Sequence, residues 1–363
     1  MEIDARVEAW ASLQLIPGLS ARALVALLKA FGGPAEVLAA SRASLTPLVG
    51  AELASAIAQG AAPDELSRSL AWLAEPGHAL LAWGDAAYPS ALLTIGDPPP
   101  VLHYAGKPDL LNRPALAIVG SRNATPQGRE NAEAFAAALS AAGLTIVSGL
   151  AQGIDAAAHR GGLAGAGSSV AVVGTGIDRI YPAGNKALAH RLAAEGGLLS
   201  QFTLGTPPLP GNFPRRNRVI SGLVRGVLVV EATPNSGSLI TARFAAEQGR
   251  EVFAIPGSIH SPFSKGCHRL IKDGAKLVET AQDVLEELGL APARASDRAW
   301  AGTPAPDGDA ARVLAALGHD PADVDLLAER TGLDASAIAV ALVELELAGQ
   351  VAQLLGGAFQ RVM

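Results

Sequence analysis

The sharpest chemical signal in this 363-residue sequence is Asn212-Phe213-Pro214-Arg215-Arg216-Asn217-Arg218, three arginines within four residues beside an aromatic ring. Guanidinium groups hold phosphates in forked, charge-assisted hydrogen bonds, and an aromatic face stacks an unpaired base. That pairing suits a single-stranded nucleic acid. The same residues admit a second reading, with Phe213 in a core and the arginines on a solvated helix end. A further group follows the apolar run LAIVG: Gly120-Ser121-Arg122-Asn123, then Thr125 and Gly128. Glycine lets backbone amides close on an anion, serine adds a hydroxyl and arginine a cation, and a helix start beyond them adds a positive dipole end. SGLAQGIDAAAH and Gly174-Thr175-Gly176-Ile177-Asp178 end two more apolar runs in the same way.

These loops depart from the common nucleotide fingerprints. GTGIDR has Arg179 where GxGxxG requires its third glycine, so NAD or FAD binding is only weakly supported, and no GxxxxGK[ST] occurs, so P-loop hydrolysis has no sequence basis. Asp155 and His159 stand four residues apart on a helix, but no third metal ligand accompanies them, and a buried ordering pair is expected. Glu231, at a strand end, is expected to orient loop amides rather than to act as a base. Cys267, the single cysteine, has no partner constellation and is read as an unreactive thiol. No cofactor and no metal is expected.

The elements that position these loops alternate. Strands are expected near 116–120, 144–148, 169–174, 226–230 and 251–257, with helices near 128–142, 154–164, 186–195, 217–223 and 238–248. This rhythm predicts an α/β fold, an extended Rossmann-like parallel sheet with helices on both faces, over residues 76–290. Its loops should share one sheet edge, where ligands of such sheets bind. Residues 1–75 read as short helices, a SAM-like or helix–hairpin–helix module. Its LIPGLS turn is either a phosphate-meeting loop or a packing turn. A proline-rich bridge at 96–114 leads into the central domain. An Ala/Pro/Gly/Asp-rich linker spans 291–309, and residues 310–363 read as three helices and a hairpin, a winged-helix-like order. The recognition-type helix of that module carries Asp334, Glu344 and Glu346 and no basic residue, which favours protein contact over DNA contact.

The formal net charge of −6 argues against a general nucleic-acid coat, yet the basic residues are focused. No acid falls between Glu195 and Glu231, where Arg215, Arg216, Arg218 and Arg225 lie, and Lys265, Arg269 and Lys272 occupy the acid-free stretch between Glu251 and Asp273. One cysteine excludes an internal disulfide framework. No signal-peptide pattern opens the sequence, and no apolar run nears the roughly 18 residues that span a bilayer, so a cytoplasmic protein without membrane contact is expected.

In their order, IVGSR, SGLAQGIDAAAH, GTGIDRIYPAGN, NFPRRNRVISGL, EATPNSGSLITARFAAEQGREVFAIPG and KGCHRLIKDGA resemble the DprA (Smf) family of DNA-processing proteins over roughly residues 80–290. The resemblance implies an extended Rossmann fold that binds single-stranded DNA. It further implies a homodimer through that fold and help in loading the RecA recombinase onto incoming DNA during natural transformation, with no catalysis. Position by position, it implies that Arg122 contacts phosphate or base and that Phe213 stacks. Arg215, Arg216, Asn217 and Arg218 would line the pocket with Gly120, Ser121 and Gly149. Lys186 and Lys265 would be secondary phosphate contacts, and the segment Ser236-Gly237-Ser238 with Thr241 would offer hydroxyls and amides. Cys267-His268 departs from the family, many of whose members have asparagine after the glycine. The rival reading is a Rossmann enzyme that hydrolyses nucleoside monophosphates. Such enzymes resemble PGGxGT-x-x-E, and EATPNSGSLITA in the equivalent region does not match it.

Overall fold

In the computed structural model the chain is described over residues 4–290, 306–318, 321–354 and 356–362. Residues 291–305 of the expected linker lie outside that description. Apolar runs without alternation, such as LAIVG and GVLVV, require cover on both faces, which a parallel sheet between two helical layers supplies. Among the described residues nine strands form that sheet: β1 (His78–Ala82), β2 (Val101–Gly106), β3 (Ala115–Val119), β4 (Thr145–Ser148), β5 (Ser169–Val172), β6 (Gly197–Ser200), β7 (Gly226–Val229), β8 (Glu251–Ala254) and β9 (Lys276–Leu277). Their order is β1-β2-β6-β5-β4-β3-β7-β8-β9, parallel from β6 to β9 and antiparallel where β1 meets β2 and β2 meets β6.

The pleat divides each central strand between two cores. Leu116 and Ile118 of β3 pack with helices Pro126–Ala141 and Ile154–Leu163. Ala117 and Val119 face helices Asn212–Leu223 and Ser238–Glu247 on the other side. From β3 the chain steps outward through β4, β5 and β6, then crosses back to place β7 on the opposite flank of β3. That reversal opens a crevice beyond the carboxyl ends of β3 and β7, the usual ligand position of such sheets.

The five expected strands are all present, and four more join them. The proline-rich bridge was expected to separate modules, but its VLHYAG is β2, a sheet member with Tyr104 fully buried and His103 nearly so. A histidine amid short apolar residues gives no strand pattern in isolation; burial between β1 and β6 decides it. Helix Asn212–Leu223 begins five residues before the expected start at 217. Pro214 reads as a breaker, but it occupies the first turn, where its absent N–H has no intrahelical partner to lose.

Six helices, from Ala5–Gln14 to Pro63–Leu73, form the amino-terminal module. Its core of Trp10, Leu13, Leu27, Leu45 and Ile57 continues into Leu80, Ala82 and Val101 of β1 and β2, and Arg6 pairs with Asp85 at 2.7 Å. The carboxy-terminal module has helices Gly308–Leu317, Val324–Thr331 and Ala335–Leu347, a hairpin of Val351–Gln353 and Phe359–Arg361, and its own core around Leu327, Ile338 and Leu342. Among the described residues no helix is long and apolar enough to cross a membrane.

The junction of β2 with β6 ties the amino-terminal half to the central sheet. A Cβ at Gly197 would overlap the Tyr104 ring and hydroxyl, which donates to the Lys107 carbonyl at 2.7 Å. Gly197→Ala is therefore expected to lower stability by about 1–3 kcal/mol, the usual cost of overpacking, read as a lower denaturation midpoint.

Candidate functional site

A cavity of about 410 Å³ occupies the crevice. Gly120, Ser121 and Arg122 line it from the loop after β3. Phe213, Arg216 and Asn217 come from helix Asn212–Leu223, and Ser236, Ser238 and Thr241 from the segment after β7. A smaller cavity of about 100 Å³ lies against Phe213, bounded by Arg122, Gly149, Gln152 and Tyr181. The Phe213 ring is half-buried and borders both spaces, with the Arg122 and Arg216 guanidinium carbons 5.6 and 6.0 Å from its centroid and the Tyr181 ring 5.8 Å away. It backs onto Gly174, where a Cβ would crowd it.

Arg216 is the electrostatic centre. Its side chain lies in the floor with 4% of the residue exposed, its Nη1 donates to the Val172 carbonyl at 3.0 Å, and among the described residues its Nε has no partner. Burial, and then the neighbouring Arg122 charge, pull its pKa down to about 10 against the opposing pull of Asp155, so it stays protonated at neutral pH. Gly149 makes room for it: a Cβ there would overlap the guanidinium. Burying a charge this sparsely partnered is unfavourable. An anion in the crevice would relieve both the desolvation and the repulsion from Arg122.

The loop after β4 is held in a strained form around this group. Leu150 is fully buried with φ 59°, the left-handed region that L-residues other than glycine rarely adopt. Asp155 accepts from the Gly149 amide at 3.1 Å, His159 Nε2 accepts from the Leu150 amide at 3.2 Å, and Asn185 donates to the Leu150 carbonyl at 2.9 Å. His159 Nδ1 donates to Ser169 Oγ, which donates onward to the Ile146 carbonyl. This fixes the neutral ring, and burial lowers its pKa to about 3. Asp155 and His159 thus order the loop, as the sequence suggested. Burial also raises the Asp155 pKa.

Glu231 orders the first loop in the expected manner. Its carboxylate accepts from the Thr125 amide at 2.9 Å and the Thr125 hydroxyl at 2.6 Å, and its carbonyl accepts from the Ser121 amide at 2.8 Å. Thr125 then caps helix Pro126–Ala141. Cys267 is fully buried and its thiol is pushed up to about 12 by burial, an unreactive setting.

The structure gathers Gly120, Ser121, Arg122, Gly149, Phe213, Arg216, Asn217, Ser238 and Thr241 at the two connected cavities. It divides the expected arginine cluster. Successive helical residues turn by about 100°, so Arg215 and Arg218, three apart, share a face turned from Arg216. Both line a different groove, against the amino-terminal module. Lys186 and Lys265 are exposed and line neither of the two cavities at Phe213. Ser236, expected with Ser238 and Thr241, lines the larger cavity, whereas sequence reasoning missed Tyr181, Gln152 and Phe263 as lining residues. Their signal was proximity to the glycine-rich loops, which spacing alone cannot turn into contact.

A doubly wound sheet with amide- and guanidinium-rich loops at its switch point defines a Rossmann-like anion-binding protein. Residues 79–289 match the family model for DNA recombination-mediator protein A, and residues 292–357 match that for the DprA winged helix domain. The chain belongs to the DNA recombination-mediator protein A (DprA/Smf) family. It is 45% identical to Protein Smf of Escherichia coli over 303 residues, 80% of either chain. It is 50% identical to DNA processing protein DprA of Streptococcus pneumoniae over 204 residues, 56% of this chain and 72% of the relative. The X-ray structure of DprA from Streptococcus pneumoniae superposes with a TM-score of 0.68 at 38% identity, covering 79% of this chain and 99% of that one. A structure of DNA processing protein A from Helicobacter pylori, described for its unique single-stranded DNA binding mode, superposes with a TM-score of 0.54 at 29% identity, covering 58% and 95%.

Two histidines held neutral set an acid limit. Burial lowers His103 to about 4 and His159 to about 3 from 6.5. Between those values and 6.5 the unfolded chain binds more protons, so stability is full above 6.5 and falls as the pH drops through this window. Each contributes a slope approaching about 1.4 kcal/mol per pH unit. Urea midpoints measured from pH 7 to pH 4.5 should fall, and His103→Leu should flatten the slope relative to the parent.

Proposed function

We propose that this chain is a non-catalytic single-stranded DNA binder that holds incoming DNA and helps load the RecA recombinase in natural transformation. The observation that carries the reading is the under-partnered Arg216 guanidinium beneath a half-exposed Phe213, with Arg122 on the same ring. A backbone phosphate supplies the missing acceptor for the guanidinium groups, and an unstacked base has Phe213 to lie on. The carboxylates near the crevice are engaged with backbone amides, Glu231 with Thr125 and Asp155 with Gly149, which supports binding rather than hydrolysis. The Helicobacter pylori relative, described as binding single-stranded DNA, supports the same ligand. Pairing of two copies through the α/β domain has support in the short edge strand β9, where Leu277 is exposed. A cytoplasmic location follows from this role.

Fluorescence anisotropy with a labelled single strand tests the site. Phe213→Ala should cost about 1–3 kcal/mol of binding, the usual worth of one stacked base. Arg122→Ala and Gly149→Ala should each weaken binding as well, the latter by displacing Arg216. With about four to six phosphates contacted, log affinity should fall against log salt with a slope near −3 to −4, and duplex should bind more weakly. Tight binding untouched by all three substitutions would move the DNA elsewhere. A wild type that binds no strand and hydrolyses nucleoside monophosphates would replace the proposal with an enzyme.

A further inference from the structure

Helix Asn212–Leu223 has a second face, and it does not belong to the crevice. Arg215 and Arg218 turn with Asn212 into a groove of about 640 Å³ between the central domain and the amino-terminal module. The far wall is the end of the LIPGLS turn, Leu19 and Ser20, and the start of helix Ala21–Phe31 with Arg22. Among the described residues, three donors in this groove lack acceptors. Asn212 is only 7% exposed, yet its Nδ2 has no partner; Gln201 Nε2 and Arg218 Nη1 are likewise buried and unpaired. Arg215 lies over the Phe202 ring at 5.3 Å, which fixes a cation at the rim. Among the described residues the only carboxylate lining the groove is Asp97, two-thirds exposed and 3.4 Å from Arg218.

Buried donors in native proteins nearly always find an acceptor, and each left without one costs the desolvation of that group. A guanidinium is donor-only, and an amide carries an N–H₂ group whichever way it is turned. Three such donors among three arginines, against a single solvated acid, form a site short of acceptors and of negative charge. A phosphodiester supplies both. We propose that this groove is a second phosphodiester site, which takes the backbone of a single strand after it leaves the Phe213 crevice and crosses the helix. The proposal rests on single-strand binding at the crevice. It gives the LIPGLS turn a role as one wall of a strand path, and it gives Arg215 and Arg218 a function apart from that of Arg216.

Single-strand sites span about 4–16 nucleotides, so labelled oligothymidylates of about 4 and about 16 nucleotides separate the crevice from the longer path. The variant is the full chain with Arg22→Ala and Arg215→Ala, both exposed, and its melting temperature is measured beside the wild type to establish folding. Because two phosphates would no longer be neutralised, the salt slope for the long strand should become shallower by about 1.4, and its affinity should drop about tenfold near 0.15 M salt. The short strand should bind as before. Wild-type affinity and slope for the long strand in the variant would overturn the proposal. Equal weakening of short and long strands would also overturn it, since the groove would then not be a separate site. If the wild type binds neither strand, the crevice reading itself fails, which is a different result from either of these.

Discussion

A buried guanidinium with too few partners governs the arrangement of this protein. Arg216 lies under the floor of the crevice with one carbonyl acceptor and an orphaned Nε. A charge in that position is tolerable only where nearby groups hold it and an anion is available to complete it. Gly149 must lack a side chain to admit it, Asp155 moderates its field, and Phe213 roofs it. The switch in strand order provides the space, because only there do the ends of β3 and β7 part.

The loops around the crevice are preorganised by bonds that never touch the solvent side. Leu150 keeps a costly backbone angle because Asp155, His159 and Asn185 all bind the same few peptide groups. The first loop is fixed from below by Glu231 through Thr125. Ordering these loops in advance spares a ligand the entropy of doing so. It also explains why residues that resemble catalytic groups are committed to structure. Their proton acceptors and donors are already satisfied, and burial keeps His159 neutral at neutral pH.

Helix Asn212–Leu223 connects two environments. Its crevice face carries Phe213, Arg216 and Asn217, and the face three residues around carries Arg215 and Arg218 against the amino-terminal module. The module is therefore more than an appended helical bundle: its core runs into β1 and β2, and its hairpin turn forms a wall beside the arginines. Extending the sheet by the antiparallel β1 and β2 is what brings that wall within reach of the central domain.

The alternation of apolar strands and helices was legible in the sequence because a strand buried on both faces leaves a short unbroken apolar run. Gly120-Ser121-Arg122 was legible as an anion loop because residue type alone gives amides, a hydroxyl and a cation. The ordering role of Asp155 and His159 followed from the lack of a third ligand. β2 was not legible: a strand with His103 at its middle becomes one only when β1 and β6 enclose it. The division of NFPRRNR was hidden for a related reason. Its residues fix charge and aromaticity, whereas where each side chain points depends on the helix starting at Asn212 and on what packs against either face. Residue chemistry and hydrophobic period are local and are written in the chain. Burial, face and the pairing of distant loops arise only when the sheet closes its order, and those decided which arginine lies under the crevice and which two face the groove.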